Sequence, residues 1–445
     1  MLIISKSGQV TGLANAGSEL YVSDSTANRI RVFNTETMAE LRSWSFARPL
    51  GITVDGLGNL WIIQAKEASN RAKILRYAKT GKLLPQQLTD AVDPTALAYS
   101  QSRILVADNG PRQQVLIYNI TGKPRLTGTL GKQGGIYSGK RGEVGALKFY
   151  GLTGVGADAA GNIYVSLNGF NSSGTDLRKF SPNGALQWQL LGLEFVDGAD
   201  ADPSTDAVDV FTKHEHFVMD YSKGSGQEWT YKAYTLDKFR YPDDKRLHGD
   251  QTSFTSPFVR RIGGRRFLYL TDMYATRLYV YRFDGEIAVP CAIFAQPSAG
   301  DWPAGHPATG RWLWRDLNGN GSIQSDEYQS LGNGEGTTWA WDVDSKGDVW
   351  LAVENGPIRR YRVQGLDAYG SLIYNSAAAD SIPMPAPFQK LERLKYFPAT
   401  DVMYLGGYTR QRPHTGSEWG IVGTEIVRYD KWSTTKNMRW RVALP

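Results

Sequence analysis

Twelve consecutive residues, Asp316-Leu-Asn318-Gly-Asn320-Gly321-Ser322-Ile323-Gln324-Ser-Asp-Glu327, carry the most specific chemistry in the chain. Oxygen-bearing side chains stand at positions 1, 3 and 5, glycine at 6, an aliphatic residue at 8 and Glu at 12. A hard divalent cation such as Ca²⁺ needs six to eight oxygens around a tight turn, and this spacing supplies them. The expected ligands are Asp316, Asn318, Asn320, Ser322 through its carbonyl, Gln324 and Glu327, so the expected cofactor is Ca²⁺. Two Asn in place of Asp lower the charge of the site and point to modest affinity, suited to the calcium-rich medium outside cells.

Acid–base chemistry is the second possibility. His248, His306 and His414 fall in separate long connecting segments, with Tyr274, Arg112, Lys140, Arg410 and Glu418 near them in the expected topology. Together they could form a catalytic or substrate-clamping cluster, or simply be solvated loop residues. Trp302 and Trp419 are the best placed tryptophans for stacking on a ligand, with Arg112 and Arg410 as polar contacts. His214 and His216 flank Glu215 on one side of a strand and could hold a metal, although no third ligand is visible. Cys291 is the sole cysteine and lies in an apolar run, so it reads as a buried inert thiol and an intrachain disulfide is excluded. Phosphate loops, Gly-x-Ser-x-Gly elbows, Cys-x-x-Cys pairs and His-Glu-x-x-His helices are missing from the sequence.

The elements that must position these groups are repetitive. The 445 residues include 48 Gly, 23 Tyr and 13 Trp, a composition of many short strands and tight turns rather than helices. Val54-Asp-Gly-Leu-Gly-Asn-Leu-Trp61, Ala157-Asp-Ala-Ala-Gly-Asn-Ile-Tyr164 and Val343-Asp-Ser-Lys-Gly-Asp-Val-Trp350 share one pattern of strand, Asp-x-x-Gly turn and aromatic-led strand. Second strands often end in Asp, as in Asp24, Asp108, Asp220 and Asp272, where a structural turn bond or ion pair is the expected role. A third strand follows, with eight examples from Arg29-Ile-Arg-Val-Phe33 to Glu425-Ile-Val-Arg-Tyr429, the fifth being Tyr231-Lys-Ala-Tyr234. Four antiparallel strands recurring about every 50 residues describe an all-β propeller of eight blades, or seven if one unit is miscounted. The expected organisation is a single domain over 1–445 with an inserted region at 296–338 bearing the metal loop. Two tandem β-sandwiches are the competing reading, but would not need a common four-strand grammar.

Tyr21-Val-Ser-Asp-Ser-Thr-Ala-Asn-Arg-Ile-Arg-Val-Phe33 resembles the core of an NHL repeat, and residues 131–165 resemble that family too. The resemblance implies the propeller fold; its members include scaffolds, RNA binders, lactonase-like relatives and amidating lyases, so function stays open. The metal loop is similar to the single EF-hand-type loops of extracellular, dockerin-like bacterial modules, because Trp312-Leu-Trp314 does not read as a long entering helix.

In such a ring the long segments 132–148, 222–229, 240–257, 296–338 and 409–424 are all expected at one rim. Two functions compete for that rim. One is a secreted or surface binding module for a glycan or protein. The other is a carbohydrate-active, lactonase-like or lyase-type enzyme. The net charge of +6 is dispersed, which argues against nucleic acid. No segment is long and apolar enough for a membrane span, and a monomer is expected. An extracellular location is expected, with this chain a mature form or an excised domain.

Overall fold

The computed structural model describes residues 8–67, 71–167, 175–192, 198–248, 256–297, 302–333, 336–416 and 422–444. Trp419 and Glu418 lie outside them. The chain is all-β and of the β-propeller class, and no α-helix occurs among the described residues. Among the described residues, strands gather in chain order into seven four-stranded antiparallel sheets, one six-stranded sheet and one two-stranded hairpin. Numbered along the chain, sheets 1 to 4 span 10–45, 49–88, 94–130 and 154–192; sheets 5 to 8 span 200–234, 257–330, 338–382 and 388–443.

Two compact units divide the chain, Met1–Phe195 and Val196–Pro445. In the first, the opening strands of successive sheets pack side by side: Val10–Ala16 on Pro49–Val54, that on Pro94–Ser100, and that on Gly154–Ala157. Tyr21, Ile30, Val32, Ile52, Leu60 and Ile62 fill the layer between sheets 1 and 2, while Trp61, Ile63, Ile104, Val106 and Leu116 fill the next. In the second unit, Phe267, Tyr269, Val280, Val343, Val349 and Leu351 join sheets 6 and 7, and Trp350, Leu391, Leu405 and Val427 join sheets 7 and 8. A sheet with two apolar faces is stable only between neighbours, which is why the units are stacks.

The repeated turn has a chemical reason. Asp55 Oδ1 accepts from the backbone N–H of Leu57 (3.0 Å) and Asn59 (2.9 Å), and Gly58 supplies the required φ of 78°. Its other oxygen accepts from Trp61 Nε1 at 3.1 Å. Asp344 repeats this with Trp350 Nε1 at 2.9 Å, and Asp158 with the Tyr164 hydroxyl at 3.1 Å. The Asp thus ties the turn to the aromatic that opens the next strand. Asp24, Asp108 and Asp272 likewise accept backbone N–H groups from Ala27, Gly110 and Thr276, whereas Asp220 sits in an exposed turn with Ser222.

Two departures from the expected grammar matter. In sheet 5, Tyr231–Tyr234 belongs to the fourth strand Trp229–Tyr234, behind a two-residue opening strand Asp200–Ala201. In sheet 6, the 296–338 region is not a loop alone: Trp312–Arg315 and Tyr328–Ser330 add fifth and sixth strands beyond Ile287–Ala295.

Candidate metal centre and the neighbouring pocket

The added strands pair as Trp312↔Ser330, Leu313↔Gln329 and Trp314↔Tyr328, and residues 316–327 close the hairpin between them. Asp316 is completely buried; its Oδ2 accepts from Gly321 N–H at 3.1 Å, which winds the loop into a tight turn. Gly321 has φ 70°, and a Cβ there would come within 2.7 Å of the Tyr241 ring and 2.8 Å of Val289. Only glycine meets both demands. Asn318 Oδ1 accepts from Asn320 N–H (3.0 Å) and Asn320 Oδ1 from Ser322 N–H (2.7 Å), while both amide nitrogens turn toward Gln324 Oε1.

Glu327 folds back over the start of the loop. Its two oxygens accept from Leu317 N–H and Trp314 Nε1, each at 2.9 Å. Burial raises its carboxyl above the ordinary range, these N–H bonds pull it down, and the Asp316 charge pushes it up. The two carboxylates are therefore close enough to repel. Asp316 Oδ1 is sealed from solvent and has no hydrogen-bond partner. Leaving a buried carboxylate oxygen unpaired costs free energy that a cation would recover. The residues present fit calcium: each side-chain oxygen in the turn keeps a second lone pair for an ion.

One basic group tempers the site. Arg282 Nη2 donates to Gly319 O at 2.8 Å and stands 3.6 Å from Asp316 Oδ2. Its charge opposes any cation in the loop. Arg282→Gln is expected to tighten calcium binding about tenfold, a gain of about 1.4 kcal/mol; titration calorimetry on both proteins checks it, and equal affinities would refute the assignment.

The register corrects the single-rim expectation. Trp312 pairs with Ala295 and Arg315 with Ala292, while Asp284 pairs with Ile287 at the short turn of the same sheet. Residues 316–327 therefore leave sheet 6 at the end bearing the short turns 263–264 and 285–286. Residues 272–276, 296–297 and 311 leave at the other end. A hairpin inserted after a fourth strand must send its own loop back, which is why the prediction failed.

Tyr274 lies on that other end, in a turn and 47% exposed. Trp302 and His306 each lie there too, but as packing. Trp302 lies 6.3 Å from the Tyr279 ring, with the Lys245 ammonium 5.3 Å and the Arg277 guanidinium 5.6 Å from its own. His306 stacks on Trp312 at 5.2 Å, and its Nδ1 bonds Pro307 O at 2.7 Å. His248 Nε2 bonds Pro242 O at 2.5 Å. Arg112 belongs to sheet 3, where its carbonyl accepts from Gly134 N–H at 2.8 Å, and Arg410 is exposed at the end of Val402–Thr409.

His214 and His216 do not form a metal pair. His216 is buried, with Nε2 at 2.7 Å from Asp209 and Nδ1 at 2.8 Å from Glu286, so carboxylates engage both ring nitrogens. Among the described residues no group of three or more His, Cys, Asp or Glu is arranged to hold a metal. Cys291 is buried, and burial pushes its thiol well up.

His414 sits elsewhere, on an open pocket of about 500 Å³ lined also by Glu354, Asn355, Gln389, Lys390, Tyr408 and Pro413. Lys390 Nζ lies 2.5 Å from Glu354, 3.0 Å from Glu392 and 3.2 Å from His414 Nδ1. Burial would lower that ammonium, but its bonds to Glu354 and Glu392 prevail and raise it. Of these partners only His414 had been singled out. The available signal was Lys390 and Glu392 two apart on Phe388–Phe397, the spacing of one strand face.

The fold defines an all-β, propeller-class protein with a hairpin built onto its sixth sheet. No protein-family model and no curated protein matches the chain. Among solved structures, hydrazine synthase of Kuenenia stuttgartiensis aligns over 89% of this chain and 92% of its own at 11% identity and TM-score 0.33. The β-propeller domain of Myceliophteria thermophila Cps50 (Swd1) aligns over 66% and 89% at 11% identity and TM-score 0.31. Kluyvelomyces marxianus Hsv2 aligns over 99% and 100% at 10% identity and TM-score 0.27. None is similar enough to support an argument about activity or partners.

Proposed function

We propose that this protein is a calcium-binding, NHL-like propeller that acts outside the cell as a binding module for a glycan or a protein. Calcium is its structural ion, held by Asp316, Asn318, Asn320, Ser322, Gln324 and Glu327. The observation that carries the calcium reading is the buried, unpartnered Oδ1 of Asp316 in a loop of matching spacing. The low site charge and Arg282 suit millimolar calcium, which supports the extracellular setting.

Binding is favoured over catalysis by the fate of the candidate acid–base groups. His248 and His306 are engaged by backbone carbonyls, and His414 belongs to a pocket built from other sheets. They share no reacting centre among the described residues.

At 10 mM calcium, and with the affinity of extracellular modules, linkage predicts about 1.4–2.7 kcal/mol of stabilisation. The expected rise in Tm over an EDTA-treated sample is about 3–10 °C for a unit of this size. Differential scanning calorimetry with and without calcium tests it, and Glu327→Gln should abolish the response. An unchanged Tm in the unmutated protein would remove the calcium site.

A further inference from the structure

We propose that the pocket between sheets 7 and 8 binds a neutral pyranose of an oligosaccharide. This rests on the binding-module reading above, and not on the calcium loop. The pocket is polar, with a charge balance that selects among ligands. An ammonium has three N–H donors, and Lys390 directs them at Glu354, Glu392 and His414 Nδ1. The lysine is thus a fixed strut rather than a free anion receptor. Two carboxylates against one ammonium leave the site net negative, which disfavours phosphate, sulfate and carboxylate ligands.

A cationic ligand fares poorly for a different reason. Tyr408 is buried, with the Lys390 ammonium 5.5 Å from its ring centroid and the His414 ring at 4.7 Å, so no open aromatic face is left for an external cation. That cation would also have to displace Lys390 from its own carboxylates. The remaining lining, Glu354 with the side-chain amides of Asn355 and Gln389, offers donors and acceptors together. Vicinal hydroxyls answer that pattern, since each can donate to a carboxylate and accept from an amide. The volume of about 500 Å³ falls within the range of small-molecule sites.

Backbone packing makes the pocket rigid. A Cβ on Gly407 would stand 2.1 Å from Lys390 O, and one on Gly423 would stand 2.4 Å from Gly407. The strand carrying Tyr408 is therefore pressed directly onto those that flank it.

The test is saturation-transfer NMR, followed by calorimetry, on the full chain with calcium present. Probes are neutral oligomers of glucose, galactose, mannose and N-acetylglucosamine, beside a sulfated oligosaccharide and spermidine as contrasting arms. At least one neutral oligomer is expected to bind. Its affinity should fall at least tenfold in Glu354→Gln and in Asn355→Ala, the second being an exposed change that leaves folding intact. Binding of only the sulfated or the cationic probe, no binding of any neutral probe at 10 mM, or undiminished binding in both variants would overturn the proposal. A hit that survives both variants would leave the binding-module reading standing with its site elsewhere.

Discussion

Replacing Arg246 with Met is expected to cost about 3–5 kcal/mol of stability in the unit formed by residues 196–445. Arg246 and Asp244 are both sealed from water, with side-chain exposures of 0% and 1%. The guanidinium donates to Asp244 Oδ2 at 2.6 Å, Lys213 O at 3.1 Å, Thr235 Oγ1 at 3.1 Å and Ala288 O at 2.7 Å, and it lies 4.1 Å from the Tyr281 ring centroid. Met can occupy the volume, but it leaves a buried carboxylate without its counter-charge and carbonyls without a donor. Denaturant unfolding followed by tryptophan fluorescence reads the loss. The double change Arg246→Met with Asp244→Leu should recover part of it, because the orphaned charge is the larger penalty. A single-variant loss below about 1 kcal/mol, the scale of an exposed pair, would refute the account.

His216→Leu should cost about 3 kcal/mol for a related reason. It removes the donor between Asp209 and Glu286 and leaves two carboxylates facing an apolar group. Arg266, 3.2 Å from Glu286, softens the effect, as does the 21% side-chain exposure of Asp209. The imidazole also stacks on Phe211 at 4.2 Å with an 18° tilt, so shape and polarity must be separated. His216→Phe keeps a ring against Phe211 and loses the polar bonds. If polarity dominates, Leu and Phe variants lose stability within about 1 kcal/mol of each other in the same unfolding assay; a Phe variant as stable as the unmutated protein would assign the role to stacking alone.

Much of the fold was legible because sheets 2, 4 and 7 repeat one local rule. Asp55, Asp158 and Asp344 announce their turns through spacing, and the following aromatic is both the strand start and the hydrogen-bond donor to the Asp. The tight turn of residues 316–327 was legible for the same reason, since the groups that wind it come from one short segment. Its location was not. Whether Trp312-Leu-Trp314 forms strand or loop decides which end of sheet 6 the loop occupies, and three residues are too few to show a period. Sheet 5 was misnumbered because Asp200–Ala201 is only two residues long. The pocket around Lys390 escaped for a third reason: Glu354 reaches it from sheet 7, and a charged residue on one strand says nothing of the counter-charge it meets across a packing layer. His306 and Trp302 show the converse error, where ligand-like residue types turned out to pack on the sheet, His306 on Trp312 and Trp302 beside Tyr279.

The six-stranded sheet has a consequence for the life of the protein in solution. Ile287-Ala-Val-Pro-Cys-Ala-Ile-Phe-Ala295 is buried along its whole length, unlike the exposed final strands Leu186–Gly192 and Asn437–Ala443. Left as the outer border, its unpaired N–H and carbonyl groups would template pairing with other chains, and its apolar side chains would reward that pairing. The added hairpin stands guard over the second half of this border, Ala292–Ala295, while Thr235 and Arg246 engage Ala288 in the first half. Excising residues 312–330 would then bare Ala292–Ala295 and yield a species prone to form aggregates, and polar substitutions at 292–295 would be needed to offset the loss.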